Sequence, residues 1–92
     1  MKRYMIEREI PEVRSMGTEQ LAGAAQTSNE ALDRLAPHVQ WLESFVAADK
    51  TFCVYLARDE DVIREHARLS GFPASRITPV HTVIDPTTAN CG

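Results

Sequence analysis

The runs His38-Val39-Gln40-Trp41-Leu42-Glu43-Ser44-Phe45-Val46-Ala47 and Thr51-Phe52-Cys53-Val54-Tyr55-Leu56-Ala57 are separated only by Ala48-Asp49-Lys50. That spacing makes them the two arms of a β-hairpin. Successive strand residues point to opposite faces. One face is therefore aliphatic, with Leu42, Val46, Phe52, Val54 and Leu56, and the other carries Trp41, Glu43, Phe45, Cys53 and Tyr55. The simplest register pairs Ala47 with Thr51. It sets Val46 opposite Phe52, Ser44 opposite Val54, Leu42 opposite Leu56, Glu43 opposite Tyr55 and Phe45 opposite Cys53. A slip of one residue would exchange the faces, so everything built on the hairpin rests on this register.

Upstream, Gly17-Thr18-Glu19-Gln20 offers a hydroxyl cap and an acidic first turn, and Leu21, Ala25, Ser28, Leu32 and Leu35 recur at helical spacing until Pro37. The stripe is narrow and rich in alanine, which suits close packing on a sheet. Before it, Arg3 to Ile10 reads as a strand ended by Pro11, with Tyr4, Ile6 and Ile10 on one face and Met5, Glu7 and Glu9 on the other. Arg8 interrupts the apolar side and is placed at the strand's frayed end. Downstream, Asp59-Glu60-Asp61 caps a second helix with Val62, Ile63, His66, Ala67 and Ser70 along one side; Gly71 ends it and Pro73 blocks a restart. Arg76 to Asp85 reads as a last strand, which Pro79 restricts to an edge or a bulge.

The order strand, helix, strand, strand, helix, strand predicts an α+β domain of the ferredoxin-like βαββαβ kind. In that fold both helices lie on one face of a four-stranded antiparallel sheet. The domain is expected to occupy residues 1–85, with a polar tail over 86–92 in which Cys91 is exposed and mobile. The aliphatic hairpin face is expected beneath the helices. The face bearing Trp41, Glu43, Phe45, Cys53 and Tyr55 is then left over, to meet a second copy or to enclose something small.

At 92 residues, 43% of them hydrophobic and 25% charged, the composition fits one small globular domain with no room for a second. Small cores often gain stability by association, so a homodimer is expected. A net charge of -3 with ten scattered Lys and Arg argues against a nucleic-acid or anionic membrane surface. Charged residues interrupt the first nine positions before a signal-peptide core can form, and no run approaches the ~20 apolar residues of a spanning helix. The expected location is the cytoplasm, where two distant cysteines do not make a disulfide framework.

Two kinds of chemistry fit the uncovered face. Trp41, Phe45 and Tyr55 could wall a pocket for a small molecule, in which Glu43 would be the catalytic acid or base if the protein is an enzyme. An apolar pocket raises a carboxylate toward neutrality and so makes cofactor-free proton transfer possible. Alternatively, three histidines, two cysteines and several carboxylates suffice for a borderline divalent metal such as nickel, copper or zinc. No HExxH, CxxC or i, i+4 histidine pair is present, so any such site is assembled from distant segments or from two subunits. The absence of GxSxG and of a glycine-rich phosphate loop excludes hydrolase and nucleotide motifs.

The segments Trp41 to Val46, Lys50 to Tyr55, Asp59 to Ala67 and Gly71 to Ile77, together with the opening Tyr4-Met5-Ile6-Glu7-Arg8, resemble a largely uncharacterised family of small bacterial ferredoxin-like proteins. Some members of that family are described as nickel-binding. The resemblance covers residues 3 to about 84, with the first helix its weakest part. It implies a homodimer and makes metal binding the leading functional expectation, with His66, Glu7, Glu43 and Cys53 as candidate ligands. Where the resemblance expects histidines in the first strand, the first helix and the second helix, only His66 matches, and the first strand carries Glu7 and Glu9.

Overall fold

A computed structural model describes residues 1–90; Cys91, and with it the expectation of an exposed, mobile thiol, lies outside the described residues. The strands are β1 (Lys2–Glu9), β2 (Val39–Val46), β3 (Lys50–Ala57) and β4 (Arg76–Val80), and the helices are α1 (Thr18–Leu35) and α2 (Glu60–Ser70). They form one antiparallel sheet in the order β2-β3-β1-β4 with β1 and β3 central. This is the ferredoxin-like arrangement that the order of elements predicts. Short 3-10 turns lie over Val13–Ser15 and Pro86–Asn90, outside the expected pattern.

Helix boundaries follow the local chemistry. Asp59 Oδ1 accepts the Val62 amide at 3.0 Å, and Gly71, in the left-handed region at φ 81, closes the other end by donating its amide to the Ala67 carbonyl at 2.9 Å. At the start of α1 the cap is Gly17 rather than Thr18. Gln20 Oε1 reaches back to accept the Gly17 amide at 2.9 Å, satisfying a donor the helix leaves free. The last strand stops at Val80, and Val83 and Ile84 beyond it are exposed.

The hairpin corrects the predicted register. Its loop is Ala47-Ala48-Asp49, with the Ala47 amide bonded to the Lys50 carbonyl at 2.9 Å, and Val46 rather than Ala47 pairs with Thr51. A bulge between Trp41 and Glu43 then leaves Leu42 without a partner. Apart from the register, the face of β3 that the helices cover is the opposite of the one expected. Thr51, Cys53, Tyr55 and Ala57 of β3 are buried beneath the helices, while Phe52, Val54 and Leu56 point to the open side. On β2 the bulge sends Trp41 and Ser44 to the helix side but Glu43 and Phe45 to the open side. The set Trp41, Glu43, Phe45, Cys53 and Tyr55 is therefore divided between two faces.

The core lies between the sheet and the helices, where Tyr4, Ile6, Val39, Tyr55, Ala57, Val62 and Ile63 are packed with Leu32, Leu35 and Ile77 against them. Arg8 does not fray: it is 3% exposed on the same face as Tyr4 and Ile6. His66, placed by its spacing at the edge of the α2 stripe, is 1% exposed.

Candidate functional site

Arg8 enters the layer between sheet and helices from β1 and meets side chains of β3 and α2 and the backbone of the loop after α2. Its Nη1 donates to the Pro73 carbonyl at 2.8 Å and to the Phe72 carbonyl at 3.4 Å, in the loop that Gly71 turns back toward the sheet. Its Nη2 lies 3.5 Å from Tyr55 Oη and 3.5 Å from His66 Nδ1, and its guanidinium carbon is 5.8 Å from the Tyr55 ring centre. The Tyr55 and His66 rings are themselves 5.4 Å apart. On its other edge, His66 Nε2 lies 3.1 Å from Ser28 Oγ on α1.

A guanidinium can only donate, so His66 Nδ1 is the accepting nitrogen and Nε2 carries the proton toward Ser28. Burial together with the Arg8 charge lowers the His66 pKa to about 4, so the ring is neutral at pH 7. Burial also raises the Tyr55 pKa, against the opposing pull of Arg8. Arg8 itself belongs to none of the ion pairs among the described residues.

This network forms one wall of a cavity of about 270 Å³ between α1 and the sheet. Arg8, Ser28, Thr51, Cys53 and Tyr55 supply its polar atoms, and Ile10, Val13, Met16, Leu21, Trp41, Val46 and Phe72 supply apolar walls. The small residues of the first half of α1 make the space: Ala24 and Ala25 line it where larger side chains would fill it. The bulge of β2 shapes one side by bringing Trp41 and Ser44 to the same face, where Trp41 Nε1 donates to Ser44 Oγ at 2.9 Å.

The candidate residues separate accordingly. Trp41, Tyr55 and Cys53 line the cavity, and His66 lies behind its wall. Phe45, Glu43 and Glu7 stand on the open face of the sheet, where Phe45 is 54% exposed and Glu7 meets Lys50 Nζ at 3.4 Å. No carboxylate joins Trp41 and Tyr55 at the cavity. Among the described residues no three His, Cys, Asp or Glu side chains gather to hold a metal ion. His38 and His81 are exposed, His38 beside an open groove between the end of α1 and the start of α2. Sequence reasoning missed Arg8 and Ser28 as members of a site. The available signal was a charge among the buried positions of a central strand, facing the one hydroxyl in the apolar stripe of α1.

Fold and site define a small ferredoxin-like α+β domain with a side-chain-lined cavity between one helix and the sheet. The chain belongs to the family of SCO4226-like nickel responsive proteins, whose model matches residues 4–80. It is also similar to the crystal structure of SCO4226 from Streptomyces coelicolor A3(2), at 15% identity and a TM-score of 0.73, over 89% of this chain and 99% of that one. That likeness is one of fold. Among curated proteins no significant match is found, and no described helix is long and apolar enough to cross a membrane.

Proposed function

We propose that the chain works as a homodimeric binding protein, in which two copies meet through the open sheet face and the helix-side cavity of each holds a small organic molecule. The cavity carries the binding reading. Its volume falls just under the roughly 300–1,000 Å³ usual for ligand sites, and its mixture of apolar wall and grouped polar atoms is that of such a site. Trp41, at its edge, is the only tryptophan of the chain. Displacement of a bound reporter dye by a library of small molecules, followed by Trp41 fluorescence, tests it. A library that leaves both signals unmoved would remove the reading.

Binding is favoured over catalysis by the chemistry around His66. Ser28 and His66 are close enough for a nucleophile and its base, but a base–nucleophile pair requires the ring to accept the hydroxyl proton and to become positively charged. Arg8 opposes both, since it fixes the acceptor at Nδ1 and disfavours imidazolium. The catalytic alternative that uses Glu43 would draw on the open face, where Glu43 is exposed.

Dimerisation is supported by the make-up of the open face. Met5, Phe45, Phe52, Val54, Leu56 and Val80 form an apolar surface interrupted by Arg3, Arg76, Glu7 and Glu43, so a two-fold axis can set apolar on apolar and acid against base. Sedimentation at micromolar protein is expected to give a dimer. The free, buried thiol of Cys53 is consistent with work in the reducing cytoplasm.

One finding favours a transition metal as a second reading: the family's description as nickel responsive. The residues of one chain do not fit a metal, because the sheet separates Glu7 and Glu43 from Cys53 and His66, and both nitrogens of His66 are engaged. A metal would have to draw on Glu7 and Glu43 of two copies across the dimer. Calorimetry with nickel, copper and zinc on metal-free protein tests this, and absence of tight binding by all three would end it.

A further inference from the structure

The reading of the helix-side cavity as a binding site leaves the chemistry of its occupant open, and Arg8 supplies the missing constraint. We propose that the cavity binds a small organic monoanion, an apolar molecule bearing one carboxylate whose charge is met by the guanidinium of Arg8.

Arg8 is 3% exposed, and every partner it has is neutral: two backbone carbonyls, a phenol and an imidazole. A buried cation without a counter-charge is unfavourable by several kcal/mol and is ordinarily paired. The chain has 13 Asp and Glu to 10 Lys and Arg, so acidic side chains are plentiful, yet none lines the cavity into which Arg8 faces. The excess of positive charge at the cavity is thus local. Only the bond to the Pro73 carbonyl is short, at 2.8 Å; the remaining contacts of 3.4 to 3.5 Å orient the guanidinium without saturating it. Its planar fork matches a carboxylate in shape as well as charge.

The rest of the cavity narrows the class. Hydroxyls of Ser28, Thr51 and Tyr55 can donate to the same carboxylate, whereas Trp41, Leu21 and Phe72 offer nothing to a second charged or strongly hydrated group. A phosphate dianion or a dicarboxylate would leave one charge against apolar wall. With about 270 Å³ available, a single ring with a short acid side chain fits, and a nucleotide does not.

The test uses 3-phenylpropanoate and its uncharged isostere 3-phenylpropanamide against the full chain, followed by Trp41 emission and by thermal shift. The acid is expected to bind about ten- to a hundredfold more tightly than the amide, the margin of a charge-assisted hydrogen-bonded pair. Arg8→Met is expected to weaken the acid far more than the amide and so to bring their affinities together, and Arg8→Lys to keep part of the preference. Should Arg8→Met fail to fold, the acid-to-amide ratio on the unaltered protein decides alone. Equal binding of acid and amide would overturn the anion assignment and leave the cavity a binding site. Failure of both, together with benzyl alcohol and benzylamine, would overturn the binding reading and this inference with it.

Discussion

On the side of the sheet covered by helices, β3 presents Thr51, Cys53, Tyr55 and Ala57; on the open side the same strand presents Phe52, Val54 and Leu56. On β3 the covered side is the less aliphatic of the two, and it lies against a buried Arg8, His66 and Ser28 from neighbouring elements. The open side sets Phe45, Phe52, Val54 and Leu56 among charged residues, with no layer of its own chain above them. The difference teaches that the two faces serve different ends. One is packed within the monomer around a cavity, and every buried side-chain N and O among the described residues has a hydrogen-bond partner. The other exposes Phe45 and leaves Phe52, Val54 and Leu56 half-buried, the surface on which the proposed dimer rests.

The largest expected effect lies in the finished face. Ile63 of α2 is 1% exposed in the main core cluster, and Ile63→Ala should cost about 2–5 kcal/mol through lost burial and the cavity left behind. Urea denaturation measures it. The matching change on the open face, Val54→Ala, should act mainly through association, so its effect on the unfolding midpoint should shrink as the protein is diluted. A dilution-independent loss of equal size at both positions would dissolve the distinction between the faces.

Next in size is a dependence on pH that belongs to the covered face. The His66 pKa is lowered from 6.5 to about 4 by burial and by Arg8, so between those values the unfolded chain binds the proton and the folded chain does not. Stability is therefore fully present above pH 6.5, falls as the pH drops toward 4 and loses no more through this group below that. The total is on the order of 3 kcal/mol. Denaturation at pH 7 and pH 4.5 should show the fall in the unaltered protein and its reduction in His66→Gln. An unchanged slope in the variant would mean that other groups carry the acid sensitivity.

Much of the fold could be read in the sequence, and the reasons it could are the reasons the site could not. Asp59 and Gly71 bound α2 through local chemistry, and the order of elements leaves few topologies, so architecture follows from residues close in the chain. The faces of the hairpin depend on a single register, and nothing local marks the bulge: Trp41-Leu42-Glu43 holds neither glycine nor proline. The rule that the more apolar face goes inside then chose wrongly, because on β3 the more aliphatic face is the one left open. Arg8 was legible as an anomaly but not as a partner, since Phe72 and Pro73, which accept its hydrogen bonds, lie 64 and 65 positions away.

A charge placed on the open face should separate association from folding. Phe52 pairs with Phe45 on one side and with Glu7 on the other, in the middle of that surface. If the proposed dimer meets through this face, Phe52→Asp should sediment as a monomer while circular dichroism shows the same secondary structure, because the helix-covered core is untouched. A variant that remains dimeric would place the interface elsewhere and leave the apolar face without a partner.

The smallest effect expected is the most useful for the metal question. Glu7 and Lys50 form a partly exposed ion pair at 3.4 Å, with side chains 24% and 37% exposed, and pairs of this kind are worth about 0–1 kcal/mol. Glu7→Gln keeps the shape and removes the charge, so on folding grounds alone it should shift monomer stability by less than about 1 kcal/mol. It should relieve no strain either, since Lys50 also lies 5.7 Å from the Phe52 ring centre and keeps that contact. If Glu7 from two copies binds nickel across the dimer, the same change should weaken nickel binding far beyond its effect on stability, because a carboxamide is a poor substitute for an anionic oxygen ligand. Calorimetry and denaturation on one variant therefore separate the two roles. A nickel affinity unaltered by Glu7→Gln would reduce Glu7 to the partner of Lys50 and confine the open face to protein contact.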